Sequence, residues 1–189
     1  MNGSLISKND PMMNSFLFHL KYALENVLNN PKPLCEGFYL AYYDEKKDST
    51  TIEKIGVVPE DKKSKYRHFA SKKVTQTLLF GANRSKDFED NNLEQYPGAI
   101  KLHDRYEKLI ACAGVSGHDS MIDEAISALW LLGKRILDEE RDCNNAYASS
   151  PRFFGKLKYE AVQFQAQYAL DNQWIVEIVE IMANHSAIK

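Results

Sequence analysis

The feature that most limits the fold is the order in which two periodicities alternate. A step of two marks strands, and a step of three or four marks helices. Along this chain they run helix, two strands, helix, two strands, helix, and then more helix. Each strand pair has a short polar link, Glu45 to Ser49 in the first and Asp104-Arg105-Tyr106 in the second. Such links join antiparallel neighbours, because a parallel crossover takes a dozen or more residues. Helices do not separate the strands one at a time. A doubly wound parallel sheet is therefore disfavoured, and an α+β sandwich is expected.

The first helix is expected over Pro11 to Asn30, with Phe16, Leu20, Ala23, Leu24, Val27 and Leu28 on one face. Pro31 and Pro33 end it, since proline cannot continue the hydrogen-bond ladder. Glu36 to Asp44 alternates Phe38, Leu40 and Tyr42 against Tyr39, Ala41 and Tyr43. Thr51 to Val58 is β-branched and pairs with it. A helix from about Asp61 to Phe80 follows, with Gly81 as its left-handed cap and a polar loop over 82–96. Strands are then expected at Ala99 to His103 and Glu107 to Val115. A helix from Ser120 to about Asp138 comes next, with Ser120 and Asp123 as a capping box. Its inward stripe is Ile122, Ala125, Ile126, Leu129, Gly133 and Ile136. From Pro151 to about Asn184 the chain reads as helix again, its apolar seam broken at Asp171, where a hairpin bend is one alternative.

Composition narrows the class. The chain has 189 residues, 44% hydrophobic and 26% charged, which suits an ordinary globular protein. A chain of that length buries roughly 70% of its unfolded surface and needs no disulfide or metal staple. Its 24 basic and 26 acidic residues give a net charge of -2, which argues against a nucleic-acid-coating protein. Three cysteines, Cys35, Cys112 and Cys143, lack metal-site spacing and are expected as reduced thiols in a cytoplasmic protein. Residues 1–10 read as a leader without a signal peptide, and no run is apolar enough to span a membrane.

Particular residues resemble a known family. Pro97-Gly98-Ala99-Ile100, then Leu109 through Gly117 ending in Gly114-Val115-Ser116-Gly117, then Asp123-Glu124-Ala125, resemble the GlcG/HbpS family. That family includes glycolate-operon proteins, an extracellular haem-binding protein and the C-terminal domain of PduO-type proteins. Ala70, Lys72, Lys73 and Thr77 look like the family's upstream helix, with Val74 and Leu78 in place of small residues. Pro97 stands at the first glycine of the family's GGVP-type opening, and the proline of that motif is missing. The resemblance implies a PAS- or profilin-like antiparallel sheet of about five strands with helices on both faces, and assembly into homo-oligomers. On this reading residues 11–138 form the family-like sandwich and 139–189 a C-terminal helical extension.

Several groups could carry chemistry. The turn Gly114, Ser116, Gly117, His118 leading to Ser120 could hold a carboxylate or phosphate at a helix N-terminus. The competing reading is a plain strand-to-helix turn whose glycines serve backbone geometry. His118, His103 and His68 are the candidate haem ligands, with Cys35 and Cys112 as further soft groups and Tyr39, Tyr42, Tyr43, Tyr66 and Phe69 as pocket aromatics. Against this, the aromatics suit a sheet core, and no histidine pair has metal-site spacing. Lys62, Lys63, Lys65, Arg67, Lys72 and Lys73 could grip an anion or form a solvated helix face. The expected function is a non-catalytic module binding a small ligand, haem or a small organic anion, and assembling into oligomers. The alternative is an enzyme or enzyme accessory in small-acid or cofactor metabolism, using Ser116, His118 and Asp123. A third is a purely structural oligomer subunit whose C-terminal helices make the contacts.

Overall fold

The computed structural model describes residues 11–27, 37–80, 84, 96–140, 147–167 and 174–187, without the side chains of 11–14, 24, 25, 27, 149 and 174. Residues 1–10, Cys35, Gly81, Cys143 and Asp171 lie outside the described residues. The chain is α+β. It divides into two compact units, one of residues 35–131 and one of residues 1–34 with 132–189.

The first unit holds an antiparallel sheet of β1 (Gly37–Asp44), β2 (Ser49–Gly56), β3 (Ala99–His103) and β4 (Leu109–Ser116). The spatial order is β2-β1-β4-β3, so both expected hairpins form and β1 pairs with β4 at the centre. Their turns follow from the acidic residues at the links. Asp44 Oδ1 accepts from the Lys46 N–H at 3.0 Å, and Asp48 takes the left-handed conformation at φ 44° that aspartate tolerates. In the second turn Asp104 Oδ1 accepts from the N–H groups of Tyr106 and Lys108. The sheet has four strands among the described residues, against the expected five or so. On the far side of β3, Arg84 makes a single antiparallel bridge to Ile100, too short to be a strand.

The register explains how a helix lies on one face. Ile52, Ala41, Gly114 and Ala99 form one row across all four strands. Helix α2 (Glu60–Leu79) packs there, with Ala70 and Val74 against Ala41 and Cys112. A Cβ at Gly114 would stand 3.0 Å from Val74 Cγ2 and 3.2 Å from the Ala70 carbonyl. The small row thus permits close helix-to-sheet approach. On the opposite face Phe38, Leu40, Tyr42, Ile100, Leu102, Ala111, Ala113 and Val115 are all buried.

Helix α3 (Ser120–Glu139) is buried continuously from Ile122 to Lys134, not along the expected stripe alone. Ala128, Trp130, Leu131 and Leu132 supply apolar surface on its remaining sides, which marks a helix enclosed all round. The boundary between the two units falls inside this helix.

The second unit is helical. Helix α1 (Pro11–Val27) packs on α5 (Trp174–Ala187), and α5 packs on α4 (Pro151–Gln167). The single run expected after Pro151 is thus two helices. Ser150 opens α4, its Oγ accepting from the Phe153 N–H at 3.1 Å, with Pro151 first in the helix. Phe16 of α1 sits against Gly133 of α3, where a Cβ would come within 2.9 Å of the ring. It also meets Phe153 edge to face at 6.0 Å. The N-terminal helix, placed with the sandwich in the 11–138 expectation, therefore shares its core with the C-terminal helices. No helix among the described residues is long and apolar enough to cross a membrane.

Candidate functional site

Two regions of the sheet unit gather the chemistry-bearing residues. The first is the turn from β4 into α3. The helix begins at Ser120, so the cap is Asp119, whose carbonyl accepts from the N–H groups of Ile122 and Asp123. The expected Ser120–Asp123 capping box is replaced by a longer reach. Asp123 Oδ1 accepts from the His118 N–H at 3.1 Å, while Asp123 Oδ2 takes the Lys73 ammonium at 2.7 Å. Lys73 Nζ also donates to the Val115 carbonyl at 2.6 Å. All three partners are buried, which makes the lysine a pin joining α2, β4 and α3.

Around this pin the glycines are filled in. Gly98 holds φ 116°, and a Cβ there would lie 2.8 Å from both Lys73 Nζ and Asp123 Cβ. A Cβ at Gly117 would stand 2.6 Å from Phe38 Cβ. The space beside Gly114 and Gly117, in the turn expected to hold a carboxylate or phosphate, is thus taken by protein. Ser116 is buried, and Ser120 is exposed. The acidic groups of Asp119, Asp123 and Glu124 crowd the start of α3 and oppose an incoming anion, although the helix dipole favours one. Glu124 is itself engaged, accepting from Arg84 NH2 at 2.7 Å and from Arg84 Nε at 3.3 Å.

The His118 side chain is 4% exposed and tilted against Phe38, and its Nδ1, 3.4 Å from Asp123 Oδ1, has no hydrogen-bond partner among the described residues. His103 sits at the far end of the sheet. It pairs with Leu109, seven residues before Ser116 on β4, which is about 24 Å along a strand. His103 and His118 cannot share one iron. Burial, aided by the charge of Lys101, lowers the basicity of His103. Lys101 is also pushed down by burial, and Cys112, enclosed in the core, is pushed up to about 12. Cys112 is therefore a packing thiol rather than an iron ligand. Tyr42 is buried in the sheet, and Tyr43 donates to Glu45 and Asp48 in the first turn.

The second region is an open cleft of about 420 Å³ between α2 and the β1–β2 hairpin. Tyr39 and Ile52 of the sheet and Lys63, Ser64, Arg67, His68 and Ser71 of α2 line it. The helical residues fall at successive three- and four-residue steps, so one face of α2 presents them together. Two cations, an imidazole, two hydroxyls and a phenol converge there. Lys63 is also paired with Glu60, which raises its pKa and keeps it charged. His68 enters here, the one candidate histidine that lines the cleft, beside charged groups rather than in an apolar pocket. These residues fit a haem poorly. Spacing on the helix could have indicated this cleft, since Lys63 and Arg67 belong to the basic stretch and His68 adjoins Arg67. The facing Tyr39 and Ile52 come from strand register.

Comparison with protein-family models, curated proteins and solved structures returns no match. The likeness to the GlcG/HbpS family therefore rests on the residues quoted above.

Proposed function

We propose that this protein is a GlcG/HbpS-like, non-catalytic module that binds a small organic anion in the cleft on α2. The observation that carries the reading is the convergence of Lys63, Arg67 and His68 over Tyr39, with Ser64 and Ser71 supplying donors. Arg67 offers a planar fork suited to a carboxylate or phosphate, and Lys63 adds a point charge. The cleft is shallow enough for exchange with solvent and lacks a paired acid and base at a reacting centre. A binding role therefore has more support than the enzyme alternative at Ser116 and His118, where Ser116 is buried and protein atoms fill the space beside Gly114 and Gly117.

The test is thermal unfolding and equilibrium dialysis with citrate, pyruvate and inorganic phosphate as probes. At least one should stabilise the protein, and Lys63→Ala with Arg67→Ala should abolish the effect while Lys62→Ala leaves it. Binding that survives the double variant, or no binding by any probe, refutes the reading. A sharpened Soret band with hemin that His68→Ala removes would favour the tetrapyrrole instead. Assembly into a homo-oligomer belongs to the same proposal. Tyr159 and Val162, three residues apart on α4, are 65% and 43% exposed and offer an apolar contact. Tyr159→Glu with Val162→Glu should lower the mass measured by light scattering.

A further inference from the structure

The helical unit contains a histidine pair that the anion cleft does not use. His19 on α1 and His185 on α5 bring their Nδ1 atoms to 3.0 Å across the helix contact, 166 residues apart in sequence. Aromatic rings fix both imidazoles. Tyr22 stacks on His185 at 3.6 Å and 7°. Phe154 meets His19 edge on at 5.5 Å. Phe18 lies 5.4 Å from each ring. His19 is 3% exposed, while His185 is half-buried, so the pair is anchored on one side and open on the other.

We propose that His19 and His185 form a two-nitrogen site for a divalent transition-metal ion, zinc or copper, with water completing the coordination. With metal–nitrogen bonds of about 2.0–2.1 Å, two neighbouring ligands stand about 2.9 Å apart at a right angle and about 3.3 Å apart in a tetrahedron. The observed 3.0 Å falls in that interval. Imidazole suits zinc and copper, and copper binds more tightly at equal geometry. Among the described residues no group of three histidine, cysteine, aspartate or glutamate side chains forms a metal cluster, and the two imidazoles are the ligands proposed. Ordered rings supply preorganisation that a loose surface pair lacks. Without metal, one Nδ1–H donates to the other Nδ1. On binding, that proton moves through solvent to Nε2 of the same ring, so both imidazoles stay neutral and both Nδ1 lone pairs face the ion.

The full chain, stripped with chelator, is titrated separately with zinc chloride and copper(II) chloride at pH 7.5 by calorimetry. One equivalent should bind, and the copper complex should show two coordinated nitrogens by electron paramagnetic resonance. His185→Gln keeps a hydrogen-bonding group on the more exposed ring, so it should fold, with affinity lowered by about a hundredfold. A His68→Ala, His103→Ala, His118→Ala triple variant should bind as the parent does. The proposal is overturned if neither ion binds one to one, or if His185→Gln binds unchanged. In those cases the pair is an imidazole–imidazole hydrogen bond and nothing more. Anion binding at Lys63 and Arg67 is read separately, so failure of one site leaves the other standing.

Discussion

Replacing Lys73 by methionine removes the cation from a carboxylate that has little other company. Asp123 is 2% exposed at its side chain and Lys73 8%, so neither charge is screened by water. The variant leaves Asp123 with the His118 N–H as a donor, and it leaves the Val115 carbonyl without the ammonium. Breaking a buried pair by deleting one partner costs about 3–5 kcal/mol, because the surviving charge stays desolvated. For a chain of this size each kcal/mol lowers the melting temperature by about 2–4 °C, so a fall of about 6–20 °C is expected. The assay is thermal and urea unfolding followed by circular dichroism. Asp123→Asn keeps an acceptor for the His118 N–H and removes the stranded charge, so adding it to Lys73→Met should recover at least half of the loss. That double-variant cycle isolates the pair from the volume change. A Lys73→Met protein within about 0.5 kcal/mol of the parent, the ordinary range for a surface substitution, would refute the pin.

Other outcomes follow from the same geometry. Gly98→Ala places a Cβ at φ 116° and 2.8 Å from Lys73 Nζ, so it should destabilise by about 2 kcal/mol or more in urea unfolding. Cys112 is fully buried with its thiol pushed up to about 12, so peptide mapping after iodoacetamide at pH 8 should find it unmodified until denaturant is added. His103 has a folded pKa below its ordinary 6.5, so the unfolded chain binds more protons once the pH falls below that value. Stability from this residue is present above pH 6.5 and is lost as the pH falls towards the lower folded value. His103→Gln should flatten that part of the stability–pH curve.

Much of the fold was readable because local chemistry decides it. The alternation of Phe38, Leu40 and Tyr42 against Tyr39, Ala41 and Tyr43 marks two faces, and the structure buries the first set while the second meets α2. Short acidic links announce both hairpins. The extra strand was expected from family likeness alone, and among the described residues the sheet has four strands with one isolated bridge from Arg84 to Ile100. The break in the long C-terminal run surfaced only as an alternative, because its apolar spacing continues through both helices. The burial of α3 beyond its expected stripe is not legible from periodicity, which marks one apolar stripe.

The sequence by itself determined the class, the hairpins, the order of elements and the basic face of α2. These depend on neighbours a few residues apart, where spacing and turn chemistry act directly. Tertiary structure decided which lysine of the basic stretch is buried. Lys73 points at a carboxylate fifty residues away, whereas its neighbour Lys72 donates to the Tyr96 hydroxyl. It also decided that Gly98, Gly114 and Gly117 serve packing, and that His19 meets His185. Such facts depend on which atoms arrive opposite one another once distant segments pack, and no local periodicity encodes that distance.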